Sequence, residues 1–227
     1  MKRHILWAWL AALLLATTAR ADPIAFFDVQ YEATTVALTT DGPAGFSTQA
    51  GLLGPDPVSL SADSVGTSDV ATAGAVVGFG LLTTSADVSA GAIASAVASA
   101  QFTGSFINAG PVSLFVDFTS LDVASGSGGG ATTLFVSLIS DGVTLFSDFV
   151  DDAWQFTYVP LLGSTSVLGL TLSSEASAAF LSAGPGNASS FGLVTVTGTV
   201  PEVATWLLCS LGLSLLAAVR ARASRRP

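Results

Sequence analysis

Residues 134–150 read LFVSLISDGVTLFSDFV, and this stretch decides the fold that the sequence predicts. Its first part has a branched apolar residue at every second position: Leu134, Val136 and Leu138. That period is typical of a strand with one buried face. Asp141-Gly142 then supplies a dipeptide that favours a tight hairpin turn, because both residues tolerate positive φ. We therefore expect a β-hairpin whose arms are residues 134–139 and 143–150.

The same alternation recurs along the chain and predicts further strands. The apolar positions of these strands are Phe27, Val29, Tyr31 and Ala33; Val112, Leu114, Val116 and Phe118; Trp154, Phe156 and Tyr158; Leu168, Leu170 and Leu172; and Val194 and Val196. Their aromatic residues are expected in the core rather than on a ligand-binding surface. The glycine-rich run at 126–130 predicts a turn.

Residues 86–100 fit two kinds of secondary structure. Ile93 and Val97 are four residues apart, and the alanine content also favours a helix. Alternating alanines in the same stretch fit a strand, which we favour because the rest of the chain is β-rich. Many short strands with Gly-rich turns predict an all-β fold, an antiparallel β-sandwich of jelly-roll type. We expect an N-terminal signal helix and a C-terminal transmembrane helix to flank it.

The charges are separated along the chain. All basic residues lie near the two termini: Lys2, Arg3, Arg20, Arg220, Arg222, Arg225 and Arg226. All 16 acidic residues lie between them, so residues 22–202 have 16 acidic and no basic side chains, a net charge of −16. Such a domain is a poor ligand for nucleic acid, which is bound through Lys and Arg, and for anionic lipid surfaces.

The first 21 residues have the three parts of a secretory signal peptide. A positive start at residues 1–4 precedes an apolar run of 11 residues at 5–15, and Ala19-Arg20-Ala21 supplies the small residues that signal peptidase recognises. The alternative is an N-terminal membrane anchor, but the run is short for about 30 Å of hydrocarbon. We expect cleavage after Ala21.

A second uncharged run of 17 residues, 203–219, lies near the lower length limit for a membrane span. Four arginines follow it within seven residues, at 220–226. The positive-inside rule would keep them in the cytoplasm and leave residues 22–202 outside the inner membrane. Taken alone, this arrangement is typical of a simple C-terminal anchor.

The residues before this run make the tail more specific. Val200-Pro201-Glu202, then Trp206, the apolar run and the arginine cluster together resemble the PEP-CTERM sorting signal of exported proteins in Gram-negative bacteria that make exopolysaccharide. Val203 stands where the usual Val-Pro-Glu-Pro core has its second proline. The resemblance covers about 28 of 227 residues. It implies that residues 200–227 are removed by exosortase, a membrane cysteine peptidase, with residues 203–219 in the membrane and 220–227 in the cytoplasm. The processing and sorting residues would be Ala19, Ala21, Val200, Pro201, Glu202, Arg220, Arg222, Arg225 and Arg226.

The composition of the exported part excludes most catalytic mechanisms. His4 would be lost with the signal peptide, and Cys209 lies in the tail. Without His, Cys, Lys or Arg, the domain has no catalytic triad, thiolate nucleophile, Schiff base or Cys/His zinc site. We therefore expect no enzymatic activity and no catalytic, cofactor-binding or metal-binding residues.

Only carboxylate chemistry remains. Asp148, Asp151 and Asp152 form the densest acidic group. They could supply a two-acid glycosidase pair or oxygen ligands for Ca²⁺. We favour a solvated loop between strands, because their spacing matches no known calcium loop.

The sequence thus predicts an exported β-sandwich, residues 22–199, without catalytic activity. We expect an exosortase-like system to sort it to the cell surface or extracellular matrix, with a structural or adhesive role alongside exopolysaccharide in a biofilm. Signal peptidase, exosortase and exopolysaccharide are the expected partners, and residues 203–219 hold the inner-membrane intermediate. The alternative function is a carbohydrate-binding or calcium-dependent recognition module, and a glycosidase is the third.

Overall fold

The computed structural model describes residues 21–52, 58–179 and 185–201, and these form an all-β fold without helix. Their strands are β1 (Ala21–Pro23), β2 (Phe27–Thr39), β3 (Gly45–Leu52), β4 (Val58–Val65), β5 (Asp69–Gly78), β6 (Leu81–Ala90), β7 (Ile93–Ile107), β8 (Val112–Ser125), β9 (Gly128–Ser140), β10 (Val143–Val150), β11 (Trp154–Tyr158), β12 (Thr165–Ala179) and β13 (Gly186–Pro201). No helix in these three ranges is long and apolar enough to cross a membrane. The predicted signal helix and transmembrane helix lie outside them.

The strands form two antiparallel sheets, which confirms the predicted all-β class and is consistent with a β-sandwich. A seven-stranded sheet has the order β11-β8-β13-β6-β5-β4, with β1 also paired to β13. A six-stranded sheet has the order β10-β9-β12-β7-β2-β3. Strands β6 and β7, β8 and β9, and β12 and β13 follow one another in the chain and contact each other across the two sheets. The chain therefore crosses between the layers repeatedly.

The core lies between the sheets and changes in composition along the strands. Leucine and phenylalanine fill the half near the β9–β10 turn, with fully buried Phe102, Phe106, Leu114, Leu138 and Leu168. Alanines fill the half near the β6–β7 turn, with buried Ala71, Ala86, Ala94, Ala96 and Ala176. All the predicted inward positions are buried or packed against this core, except Phe27. Phe27 is 38% exposed because a bulge at Asp28, with φ of 49°, shifts the β2–β7 register.

The predicted hairpin is confirmed. Strands β9 and β10 pair from Ser140 and Val143 onward, and Asp141 and Gly142 have φ of 52° and 76°. Both residues thus have the positive φ that a tight hairpin turn requires. The favoured strand for residues 86–100 is also confirmed, although a bend at Gly91–Ala92 divides it into the end of β6 and the start of β7.

The turn predicted at residues 126–130 is shorter than expected. Only Gly126 and Ser127 form it, and Gly128, Gly129 and Gly130 are the first residues of β9. The reason is close packing between the sheets. A Cβ atom at Gly128 would collide with the Asn187 backbone carbonyl, and one at Gly130 with the Ser190 hydroxyl. Glycine is therefore needed here for close approach of β9 to β13 rather than for a turn.

Candidate functional site

The two predicted processing positions meet in the seven-stranded sheet. Strand β1 pairs with the last residues of β13, so that Ala21 lies opposite Pro201 and Asp22 opposite Val200. The Ile24 backbone N–H extends this contact by donating to the Gly198 carbonyl at 3.1 Å. The strands thus extend one residue before and two after the predicted domain of residues 22–199. Ala19, Glu202, Arg220, Arg222, Arg225 and Arg226 lie outside the described residues, as does the run 203–219.

The end of the sandwich at which β13 ends is called the exit end below. Among the described residues, the connections there include the turn at Phe79–Gly80, residues 108–111, the turn at Asp141–Gly142, and the loop at 159–164. They are tied to the strands and to each other. The Val196 backbone N–H donates to the Gly80 carbonyl at 3.0 Å, and the Asp141 N–H donates to the Thr165 carbonyl at 3.1 Å.

A buried asparagine organises the loop at 159–164. The side-chain amide of Asn108 donates to the hydroxyls of Ser164 and Ser166 at 2.8 and 2.9 Å. The Asn108 backbone N–H donates to the Ser164 carbonyl at 2.8 Å, and the Asn108 carbonyl accepts from Gly163 N–H at 2.7 Å. The hydroxyl of Tyr158 also donates to Ser166, at 2.7 Å, and burial raises the pKa of Tyr158 above its ordinary value. The loop is therefore fixed by a network of buried polar groups.

The predicted acidic group does not form a compact site. Asp148 lies in β10, where its carboxylate accepts from the backbone N–H of Phe149 at 2.8 Å. Asp151 and Asp152 are exposed in the bend between β10 and β11. Within residues 21–52, 58–179 and 185–201, no three His, Cys, Asp or Glu side chains are grouped so that they could hold a metal ion. Asp151 and Asp152 thus lie in an exposed bend between strands, as the sequence favoured, whereas Asp148 belongs to β10.

The aromatic residues of β11 point into the sandwich. Trp154, Phe156 and Tyr158 are in register with Val116, Leu114 and Val112, all three of which are fully buried. The rings of Trp154 and Phe156 stack at 5.4 Å and 5°, and Phe146 of β10 lies 4.9 Å from Trp154. These rings close the edge of the core, which confirms that they are core residues. They do not form the exposed aromatic row that a sugar-binding platform would need.

Asp69 is a buried carboxylate that sequence reasoning missed. The backbone N–H groups of Gly91, Ala92 and Ile93 donate to it at 2.8, 2.8 and 3.3 Å. These bonds, led by that of Ala92, hold the pKa of Asp69 below its ordinary value. Hydrogen bonds from Thr67 likewise lower the pKa of Asp41. Through these hydrogen bonds Asp41 caps the β4–β5 turn and Asp69 caps the β6–β7 turn. Their lowered pKa values are the opposite of what a general acid needs.

A groove of about 290 Å³ on the outer face of the seven-stranded sheet was also missed. Two rows of paired residues form it across β8, β13, β6 and β5. One row is Val123, Ser189, Asp87 and Thr72; the other is Ser125, Asn187, Ser89 and Val70. The hydroxyl of Ser189 donates to the Asp87 carboxylate. The groove thus offers hydroxyl, amide and carboxylate groups, with Val123 and Val70 at diagonally opposite corners.

No protein-family model matches this chain, and no curated protein is significantly similar to it.

Proposed function

We propose that this chain is an exported, non-catalytic protein of the cell surface or extracellular matrix of a Gram-negative bacterium. An exosortase-like system sorts it, and it has a structural or adhesive role in an exopolysaccharide biofilm. In this proposal residues 1–21 are a cleaved signal helix, and residues 203–219 are a transmembrane helix that holds an inner-membrane intermediate. The sandwich is of jelly-roll type, which the repeated crossing of the chain between sheets supports.

One observation carries the proposal: the last strand of the folded domain runs into the sorting motif. Strand β13 ends at Pro201, inside Val200-Pro201-Glu202, and the uncharged run begins two residues later. A cut near this motif would separate the whole sandwich from the membrane segment and the arginines. The product would be an intact acidic domain without an anchor, as expected of a protein released to the surface or matrix.

The C-terminus of the released protein tests this proposal. Mass spectrometry of surface material should find a C-terminus near Pro201–Glu202 in a strain with the exosortase. The uncleaved chain should accumulate in the membrane when that peptidase is deleted. Intact Arg226 on surface-released protein from the wild-type strain would refute the sorting proposal.

The groove supports a second candidate, recognition of a carbohydrate. Sugar hydroxyls bind to the groups that Asp87, Asn187 and Ser189 present, through hydrogen bonds with fixed geometry. Titration calorimetry with purified exopolysaccharide should then show binding that Asp87→Ala removes. Asp117→Ala is the matched control, because Asp117 is exposed on the same sheet but lies outside the groove. Equal heats for both variants would exclude the groove as the binding site.

A further inference from the structure

We infer that the exit end of the sandwich docks on the outer surface of the bilayer that holds residues 203–219. This inference rests on the proposed function, because it needs the tail to lie in the membrane. The contact is made by the loop at 159–164, assisted by apolar residues of the neighbouring turns. It would hold the folded domain upright on the membrane while the sorting motif is still uncut.

The loop exposes three large apolar side chains within four residues. Val159, Leu161 and Leu162 are 79%, 75% and 73% exposed. Single exposed apolar residues are common on soluble proteins, whereas contiguous ones mark a surface that contacts a partner or a membrane. Phe79, Ile107 and Val143 are each more than half exposed and lie on three other segments of the exit end.

The exposure of these side chains is built into the fold. Gly163 has φ of 79° and donates to the buried Asn108, and the Ser164 N–H closes the turn onto the Leu161 carbonyl at 3.1 Å. Asn108 and Ser166, both fully buried, anchor the loop from below. A rigid loop that already presents its apolar residues loses little conformational entropy when it binds. The structure therefore favours a preformed contact surface.

The end of the described chain identifies the bilayer as the occupant. Pro201 is the last residue of β13 at the exit end, and only Glu202 separates it from the uncharged run. Two residues span at most about 7 Å, so a tail in the bilayer would keep the exit end at the membrane surface. At the opposite end, the turn at residues 66–68 reads Gly-Thr-Ser and the next is Gly91-Ala92. Those turns contain no large apolar residue, although Val65 and Ile93 at the strand ends beside them are each 61% exposed.

The contact would be hydrophobic rather than electrostatic. The acidic residues Asp22, Asp28 and Asp141 belong to segments at the exit end, and no basic residue occurs in the described chain. Nothing there would attract anionic headgroups. Insertion of leucine and valine side chains into the membrane interface depends on the apolar area that they bury. Zwitterionic lipid should therefore bind this surface as well as anionic lipid does.

Depth-dependent quenching in the full-length chain tests this inference. The background is Cys209→Ser, which removes the only cysteine, and the protein is reconstituted in phosphatidylcholine vesicles with and without brominated lipid. A fluorophore attached through Leu161→Cys should be blue-shifted and strongly quenched by the brominated lipid. Val65→Cys is the matched control, because Val65 is 61% exposed at the opposite end. Its fluorophore should be unaffected.

The alternative outcomes are distinct. Protein that floats with the vesicles but shows equal, weak quenching at both positions would refute docking and leave the membrane tail intact. A blue shift at position 161 without bromolipid quenching would refute it in favour of contact with a second copy or with the chain's own tail. Protein that does not float with the vesicles at all would refute the membrane tail itself. Both the sorting proposal and the docking inference would then be wrong.

Discussion

Ala21 lies directly opposite Pro201 in an antiparallel pair, so that the first and last described residues of this chain are neighbours. The predicted signal-peptidase site follows Ala21, and the predicted sorting motif contains Pro201. Both positions are therefore at the exit end. If both segments are removed, the mature domain begins and ends at the same place, and no strand other than β1 or β13 is shortened.

The first prediction concerns the N-terminus. N-terminal sequencing of the exported protein should give Asp22 as the first residue. Ala19→Phe should block cleavage, because signal peptidase needs a small residue at that position. Ala16→Phe serves as a control, since it adds the same ring within the same segment but away from the recognised positions. A wild-type exported form that retains Trp7 and Trp9 would contradict the signal-peptide prediction.

The second prediction concerns the pH dependence of stability at Asp69. Its pKa is lowered in the folded protein, so its stabilising effect is present above the ordinary Asp value of about 3.9 and is lost as the pH falls through the folded value. The Asp69→Asn side chain is neutral and has one acceptor oxygen instead of two. It therefore cannot accept the backbone hydrogen bonds from Gly91, Ala92 and Ile93 as the carboxylate does. We expect the variant to melt several degrees lower at pH 7, and to lose less stability than the wild type below pH 4.

Thermal melts between pH 2.5 and 7 measure this difference. Asp63→Asn is the matched control, because Asp63 is an exposed residue of β4 and no hydrogen bond to its carboxylate is seen among the described residues. It should melt like the wild type at each pH. If Asp69→Asn followed the same curve as the wild type, Asp69 would have no role in holding the β6–β7 turn.

The sequence predicted the buried face of the strands with clear alternation and the pairing of β9 with β10, but it did not predict which other strands are neighbours. Leu134, Val136 and Leu138 are all fully buried, as their period of two indicated. Periodicity reports the face of a strand and carries no information about its partner. The groove could not be predicted for this reason: Asp87 and Ser189 are 102 residues apart and meet only because β6 pairs with β13.

The role of glycines was predicted correctly at one turn and wrongly at another. Turn chemistry located Asp141–Gly142 correctly, because both residues have positive φ there. At Gly128 and Gly130 the lack of a side chain serves packing between sheets, which local sequence does not distinguish from a turn. Asp69 was missed for a similar reason. Its partners at residues 91–93 lie in another turn, and nothing in the local sequence indicates their approach.

The third prediction compares how much stability is lost when a leucine is truncated in the core and at the exit end. Leu170 of β12 is 1% exposed, and Leu170→Ala should lower the free energy of unfolding by about 2–5 kcal/mol through lost burial and a residual cavity. Leu161→Ala removes the same atoms from a side chain that is 75% exposed, and it should change that energy by less than about 0.5 kcal/mol. Denaturant titration measures both. A large loss for Leu161→Ala would show that this loop is needed for folding.

The last prediction concerns the uncompensated charge. With 16 acidic and no basic side chains, residues 22–202 carry charges that should repel one another at low ionic strength. Added salt should therefore raise the melting temperature by screening this repulsion.

A specific calcium site would add a saturable rise in melting temperature at or below the low millimolar range, because a ligand that binds only the native state stabilises it by mass action. The open arrangement of Asp148, Asp151 and Asp152 predicts no such rise. Ca²⁺ and Mg²⁺ at equal ionic strength should therefore raise the melting temperature equally, in the wild type and in the Asp151→Asn, Asp152→Asn double variant. A larger rise with Ca²⁺ that the double variant abolishes would establish a calcium site in the bend between β10 and β11.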